Sequence, residues 1–385
     1  MQETSARLTE IREALVRKAE FGCSLCSCLY LERMRICYSH NTALHLLRLW
    51  SVSHAVALEH FHGLTPAETK HLPTRVLSLA SSVQDCAHSL AGYKSALEQL
   101  ENPALRRMLQ QLLEQPELGS AVHLLVAPGL GQRNTKQIVF HQAPAELPRG
   151  SLLQLAPTVH CSSPELVFVQ LSEQLELGEA VALGYELCGC YPVGGDSLLV
   201  RRQVTTPKKL VSFIGRLGNV HGIRKARLAA QFVQAKSASV METELCALAT
   251  MPMRWGGYGL PSARLNEKIS LSRAAATIAR SPYLTLDMYW PEGPVALEYD
   301  GKASHSGEGA RARDSRRRDA LAAEGIPLAT LTSKQMAVVG ELEEIVAFVG
   351  GVLGRRARAK TPEFRERHSR LRAQLKRFHN GVWWS

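Results

Sequence analysis

The sequence predicts a mixed α/β protein of several domains, ending in a core with the order α-β-β-α-β. Three observations predict this class. Apolar residues three and four apart dominate the first 120 residues, strand-like runs follow, and helical and strand-like segments alternate between residues 239 and 350. A chain of 385 residues has room for two or three domains of ordinary size.

The same patterns divide the chain into four segments. Within the second, AVHLLVAP and KQIVFHQAP are typical of strands, and the run SSPE from Ser162 indicates a helix start. The predicted segments are residues 1–120 (helical), 121–205 (a small α/β unit), 206–350 (a basic connector at 205–231, then the α-β-β-α-β core) and 351–385 (a basic tail).

The charge of the chain favours an anionic partner. The net charge is +11 and the pI is near 9.3, and polyphosphate chains are common partners because Lys and Arg displace their condensed counterions. The tail after Gly354 carries ten Lys and Arg against two Glu. We therefore expect Arg355 and Arg356 to contact phosphates, and the few apolar residues of the tail not to build a core.

The apolar runs and the cysteines indicate in which cellular compartment the protein is expected. VHLLVAP and IVAFVGGVLG are far shorter than the ~20 apolar residues that span a bilayer. The first residues mix both charges and lack the apolar segment of an export signal. Nine cysteines in a chain of this kind favour reduced thiols. The sequence predicts a cytoplasmic protein with no membrane partner, and the glycine-rich turns lack any nucleotide-cofactor fingerprint.

Cysteines near the N-terminus allow a zinc site as one interpretation. Cys23, Cys26 and Cys28, with Cys37 and His40 downstream, are residues of the types that bind zinc. A second ligand pair at the usual spacing is missing. Cysteines in a stretch with Leu and Tyr more commonly act as small buried apolar residues, and we favour that interpretation.

The segments YLTLDMYW and VALEYDG flank the loop PEGP and predict a β-hairpin. Strand alternation places Asp287 and Glu298 on the polar faces of their strands. If PEGP is a four-residue loop, Trp290 pairs with Val295, and Asp287 lies directly opposite Glu298 with Cβ atoms about 5 Å apart.

Two carboxylates facing each other across a strand pair are destabilising unless one is protonated or a cation lies between them. Mg²⁺ or Mn²⁺ would resolve the repulsion, because Mg²⁺ prefers one or two carboxylates together with waters and phosphate oxygens. The chemistry indicated is phosphodiester hydrolysis. The alternative is an exposed hairpin with ordinary solvated acids.

Five spaced elements surround this hairpin: SVMETEL from Ser239, Asp287, EYDG from Glu298, His305, and D-x-x-R-x-x-x-L-x-x-x-G from Asp314. Together they resemble the PD-(D/E)XK endonuclease superfamily, in particular the branch related to very-short-patch-repair endonucleases. The resemblance implies a restriction-endonuclease-like core and a metal-dependent nuclease that acts on DNA.

The resemblance also implies roles for single residues. Asp287 and Glu298 would be metal ligands, and Glu242 a third acid that acts through water. Asp300 stands where many members carry lysine, as is common in this branch, so the general base stays unassigned. Among the catalytic residues, His305 would position or protonate a phosphate oxygen, because a pKa of about 6.5 permits either role.

Each of these roles has a structural alternative. His305 also fits a surface histidine of the loop KASHSGEG. Glu242 also fits a capping box with Ser239, and both roles are compatible. Arg317 would hold a phosphate bidentately with Asp314 orienting it, whereas Arg318 and its arginine neighbours would contact the nucleic-acid backbone or form a solvated basic face.

Residues 36–190 resemble a domain related to abortive-infection antitoxins, through ICYSHNTALHLLR, AVHLLVAP, IVFHQAPAELPRG and CSSPELVFVQL. The resemblance implies DNA binding or control of the nuclease, and a structural domain is the alternative. The sequence as a whole predicts a metal-dependent DNA endonuclease, with a defence role by analogy only. The competing interpretation is a non-catalytic DNA-binding regulator with a degenerate nuclease fold. The presence of both paired carboxylates favours the enzyme.

Overall fold

The computed structural model describes residues 35–51, 77–80, 89–101, 103–114, 121–129, 134–156, 158–193, 201–301, 308–355 and 361–381. They form helices and two mixed sheets, which confirms the predicted α/β class. Described residues up to Val167 belong to one compact unit, and those from Phe168 onward to a second. The cysteines at 23, 26 and 28, together with His305 and Arg356, lie outside the described residues.

The first unit contains a six-stranded sheet in the order β2-β5-β6-β1-β3-β4, parallel at β6–β1 and β3–β4 and antiparallel elsewhere. Its strands are β1 (Ile36–Tyr38), β2 (Leu77–Ala80), β3 (Val122–Val126), β4 (Ile138–Gln142), β5 (Leu152–Ala156) and β6 (Val159–Ser162). Its helices are α1 (His40–Ser51), α2 (Leu90–Glu98) and α3 (Pro103–Glu114).

Strands β1 and β2 lie within the segment that the sequence predicted to be helical, so that segment is not wholly helical. Both strands are shorter than the window in which apolar periodicity separates strand from helix. β1 is fully buried because it pairs with a strand on each side. The buried Tyr38 hydroxyl lies 2.9 Å from that of Tyr93, which donates to the Leu109 carbonyl (3.3 Å). These bonds join β1 to α2 and α3.

From residue 164 onward the chain is mainly helical around a four-stranded sheet. The helices are α4 (Pro164–Ser172), α5 (Leu177–Cys188), α6 (Pro207–Arg216), α7 (Ile223–Ala230), α8 (Val240–Thr250), α9 (Arg273–Ala279), α10 (Glu308–Ala323), α11 (Ser333–Ala337), α12 (Val339–Val352) and α13 (Pro362–His379). The strands are β7 (Arg264–Ser270), β8 (Tyr283–Trp290), β9 (Val295–Asp300) and β10 (Leu328–Thr332). Within the described ranges, no helix is both long and apolar enough to cross a bilayer.

The four-stranded sheet has the order β10-β9-β8-β7, with β9 and β10 parallel and the other pairs antiparallel. The predicted order α-β-β-α-β is present as α8, β8, β9, α10 and β10, but the prediction missed β7 and α9, which lie between α8 and β8. β7 is an edge strand, and Leu265 is its one fully buried side chain, so the sequence RLNEKIS carries little strand-like alternation. The predicted helix start at the run SSPE is confirmed, because α4 begins at Pro164.

The alternation predicted for the hairpin is confirmed on β8 but not on β9, where Val295, Ala296 and Leu297 are all buried. Leu286, Met288 and Trp290 of β8 are buried, whereas the residues between them are only partly buried. Leu286 and Ala296 pack with Leu321 of α10 to form the core between helix and sheet. Ala296 lies on the same strand face as Glu298, so this face is apolar near the turn and polar at the carboxylates.

The predicted basic tail forms a docked helix instead. Five of its side chains recur every three or four residues and are buried: Phe364, His368, Leu371, Leu375 and Phe378. α13 also caps the start of α5, because Gln374 Oε1 accepts from the Gly178 amide (2.9 Å) and Arg377 Nε donates to Glu179 (2.9 Å). The expectation that this segment builds no core is wrong, because its helical apolar spacing outweighs its high charge.

We expect Leu375→Ala to destabilise the protein by roughly 2–5 kcal/mol, because it opens a cavity beside a fully buried side chain. Urea unfolding would measure the loss of free energy. Arg370→Ala, an exposed change on the same helix, is the control and should stay within about 0.5 kcal/mol. Equal effects of the two changes would contradict the docking of α13.

Candidate active site

Asp287 lies on β8 at the point where the hairpin ladder ends. Trp290 pairs with Val295, as the sequence predicted, and the pairing continues to Met288 and Leu297. The next position in this register sets Asp287 against Glu298. There the backbone amide of Tyr299 donates to Asp287 Oδ2 (3.0 Å). The carboxylate is therefore held in place by the neighbouring strand.

Glu298 on β9 forms an ion pair with Arg317 of α10. Arg317 Nε lies 3.0 Å from Oε1 and 3.1 Å from Oε2, and Nη2 also bonds Oε1 and the backbone carbonyl of Thr285. The Glu298 side chain is 15% exposed and that of Arg317 is 27% exposed, so solvent screens the pair only partly. The sequence predicted a phosphate contact for Arg317, and the structure gives it a carboxylate partner.

Glu242 occupies the first turn of α8 and takes part in capping it. The Glu242 amide donates to Ser239 Oγ (3.1 Å), and the Ser239 hydroxyl donates to Glu242 Oε1 (3.0 Å). Glu242 Oε2 accepts from the Ala238 amide (2.9 Å) and from Asn266 Nδ2 (2.7 Å). Ser239 therefore caps α8 as predicted, whereas Glu242 binds the amide of Ala238, one residue before the cap, and its side chain is fixed facing β7.

Asn266 is a site residue that sequence reasoning missed. It has a φ of 46°, a left-handed conformation that Asn tolerates better than most residues. Between β7 and β8, Leu265 pairs with Met288 and Glu267 pairs with Leu286. Asn266 and Asp287, which lie between these two pairs, do not pair with each other in the ladder. The side-chain nitrogen of Asn266, Nδ2, also donates to the Lys236 carbonyl (2.9 Å). A single asparagine in a charged strand gives no sequence signal for this distortion.

Burial and two neighbouring carboxylates raise the proton affinity of Asp287. Its pKa is raised to about 7, first by burial and then by the charges of Glu242 and Glu298. The Tyr299 amide and Arg317 act in the opposite direction but do not cancel these effects. Burial lowers the pKa of Arg317, and the bond and charge of Glu298 outweigh it, so the net shift is upward. Negative charge is in excess at this point.

The donor set suits a hard divalent cation such as Mg²⁺ or Mn²⁺, because three carboxylates that interact electrostatically lie in a partly buried space with unbalanced negative charge. The donors are not tightly gathered. Among the described residues, the one group of three or more His, Cys, Asp or Glu with all donor atoms within 4.8 Å lies elsewhere, on histidines of the first unit. Asp287 and Glu298 would bind such a cation directly, and Glu242 would reach it through water.

The remaining predicted residues lie around this centre. Asp300 follows Glu298 by two residues on β9, pairs with Thr332 in the ladder to β10 and is exposed. Asp314 precedes Arg317 by one helical turn, and its charge raises the pKa of Arg317, in keeping with an orienting role. Arg318 is exposed on α10, and Arg355 is exposed beyond the end of α12.

Comparison of the chain with protein-family models, with curated proteins and with solved structures finds no match. The two family resemblances stay predictions that rest on the residues quoted for them.

We expect Asp287→Asn to stabilise the protein in a pH-dependent manner in metal-free buffer. Unfolded Asp titrates near pH 3.9 and folded Asp287 near pH 7, so the stability of the parent falls as the pH rises between these values. The advantage of the variant over the parent should be small near pH 4 and reach up to about 4 kcal/mol above pH 7.

Urea unfolding across this pH range measures the effect. Asp319→Asn, at an exposed carboxylate of α10, is the matched control and should show a flat difference. An equally flat difference for Asp287→Asn would contradict the raised pKa of Asp287.

Proposed function

We propose that this protein is a metal-dependent endonuclease that hydrolyses phosphodiester bonds, with DNA as the substrate class. The observation that carries the proposal is the convergence of Asp287, Glu298 and Glu242 from a strand, a second strand and a helix start, with the pKa of Asp287 raised to about 7. Carboxylates that repel one another at neutral pH favour a bound cation between them.

Mg²⁺ or Mn²⁺ held by these acids would polarise the phosphoryl group and lower the pKa of an attacking water. Asp287 stays oriented by the Tyr299 amide, and Glu242 by its capping bonds. Arg317 has the planar guanidinium that binds carboxylate and phosphate groups through paired hydrogen bonds. Asp287 and Glu298 would hold the cation, which would offset the Glu298 charge, and we propose that Arg317 would then hold a phosphate oxygen of the substrate.

The basic surface next to the site supports a nucleic-acid substrate. α10 presents exposed arginines beside Arg317, at positions 311, 313 and 318. Such residues bind the phosphate backbone without reading the sequence. The buried and capping residues of α13 make it in part a structural element, so we assign less of the DNA affinity to the C-terminal segment than its charge alone indicates. We propose a cytoplasmic location and a controlling or DNA-binding role for the first unit.

A second candidate function is a non-catalytic DNA-binding regulator with a degenerate nuclease site. One observation favours it: Arg317 engages both oxygens of Glu298, one of the two proposed direct ligands. If that ion pair is permanent, the cation site cannot form, and binding without cleavage follows. The two candidates differ in metal dependence.

We expect the purified protein to convert supercoiled plasmid to nicked or linear forms only when Mg²⁺ or Mn²⁺ is added. Asp287→Asn should abolish cleavage because a ligand is lost, yet retain salt-sensitive DNA binding, which Lys and Arg supply. Asp319→Asn should cleave like the parent. Cleavage by the Asp287→Asn protein would refute the site assignment, and tight binding by the parent with no cleavage would support the regulator.

We expect Arg317→Ala to lower stability by up to about 3 kcal/mol in metal-free buffer, because it leaves the partly buried Glu298 charge without its cationic partner. Added Mg²⁺ should raise the melting temperature of this variant more than that of the parent, since the cation replaces the missing charge. Arg318→Ala, at an exposed site one residue further along α10, is the control. Equal Mg²⁺ responses in all three proteins would show that Glu298 binds no cation.

A further inference from the structure

Three histidines of the first unit meet although they come from distant parts of the chain. His40 begins α1, His123 lies on β3 and His141 on the adjacent strand β4. One nitrogen from each ring lies within 4.8 Å of the other two. His40 and His123 are buried, and His141 is partly buried. Three separate elements therefore present imidazoles to one point.

The backbone around these rings is fixed by hydrogen bonds. The Ser39 amide donates to the His123 carbonyl (3.0 Å), and the His123 amide donates to Thr42 Oγ1 (3.0 Å). These two bonds tie the start of α1 to β3. On β4, His141 is in register with Leu125, which places it on the same face of the sheet as His123.

His40 is held in a costly conformation. Its φ is 48°, in the left-handed region that residues other than glycine seldom adopt, and such strain is concentrated at functional sites. Its Nδ1 lies 3.1 Å from the Ser39 hydroxyl, an arrangement that orients metal-binding histidines through the nitrogen that does not ligate. His40 would therefore ligate through Nε2.

The rings are in the protonation state that binds metals. Burial lowers the pKa of His141 to about 4, with a smaller effect from His123, and burial likewise lowers the pKa values of His40 and His123. At neutral pH all three are uncharged, which is the form of imidazole that coordinates metal ions. One of the hydrogen-bonded nitrogens His123 Nδ1 and His141 Nε2 carries a proton, which must move to the other nitrogen of its ring before both can ligate an ion.

We propose that His40, His123 and His141 form a binding site for a Zn²⁺-like divalent transition-metal ion, with water in the fourth position. Imidazole nitrogens select ions of this class, whereas Mg²⁺ prefers oxygen ligands. Tetrahedral ligands at about 2.0–2.1 Å from Zn²⁺ lie about 3.4 Å apart. His123 Nδ1 and His141 Nε2 are 2.8 Å apart, so the ion would replace their hydrogen bond. His40 stacks on His141 at 3.6 Å between centroids, so one of these rings must turn to share the ion.

Zinc titration of the full-length protein tests this site. The Asp287→Asn protein is used throughout, because the change removes a ligand of the carboxylate site in the second unit. After removal of metals with EDTA, calorimetry should show one Zn²⁺ bound per chain. Adding His141→Gln should weaken this binding by more than roughly 100-fold, since loss of a ligand exceeds the effect of losing its supporting partners. The exposed His221→Gln is the matched control and should leave binding unchanged.

X-ray absorption at the zinc edge supplies a measurement that does not depend on the stability of any histidine variant. The Zn²⁺-loaded Asp287→Asn protein should show about three imidazole nitrogens at about 2.0–2.1 Å. Absence of binding, unchanged binding in the His141→Gln protein, or a shell of oxygen or sulfur without imidazole would each overturn the proposal.

Discussion

The second unit depends on a charge imbalance at one point, where Asp287, Glu298 and Glu242 approach one another in a partly buried space. Arg317 compensates Glu298 with a bidentate ion pair, but burial and the remaining negative charge together raise the pKa of Asp287 to about 7. The packing of α8, β8 and β9 therefore holds these acids together against their electrostatic repulsion. A cation bound between the acids would remove this repulsion. The nuclease proposal follows from this imbalance.

Rigid elements on three sides maintain the arrangement. The capped start of α8 fixes Glu242, the strained Asn266 of β7 connects it to the sheet, and the Leu286 core holds β8 and β9 against α10. α13 contributes from a different direction, because it packs on α5 and α8. A segment rich in Lys and Arg is in this way part of the scaffold that supports the candidate site.

The two units present different donor chemistry. Oxygen ligands in the second unit suit Mg²⁺ or Mn²⁺, whereas imidazoles in the first suit a Zn²⁺-like ion, so the same protein would discriminate between the two classes by ligand type rather than by overall affinity. Each site has its own evidence. Loss of the histidine site would leave the nuclease proposal intact, and the reverse also holds.

Local patterns in the sequence determined the hairpin register, the buried face of β8, the helix start at Pro164 and the Ser239–Glu242 cap, because each depends on residues within a few positions. The apolar spacing of α13 is equally local, but the high charge of the segment obscures it in the sequence. Tertiary structure alone decided that Arg317 pairs with Glu298, that Asn266 bonds Glu242 and that His40 meets His123 and His141. Strand order and helix docking bring those residues together across tens of positions, and one-dimensional periodicity carries no information about which distant elements become neighbours.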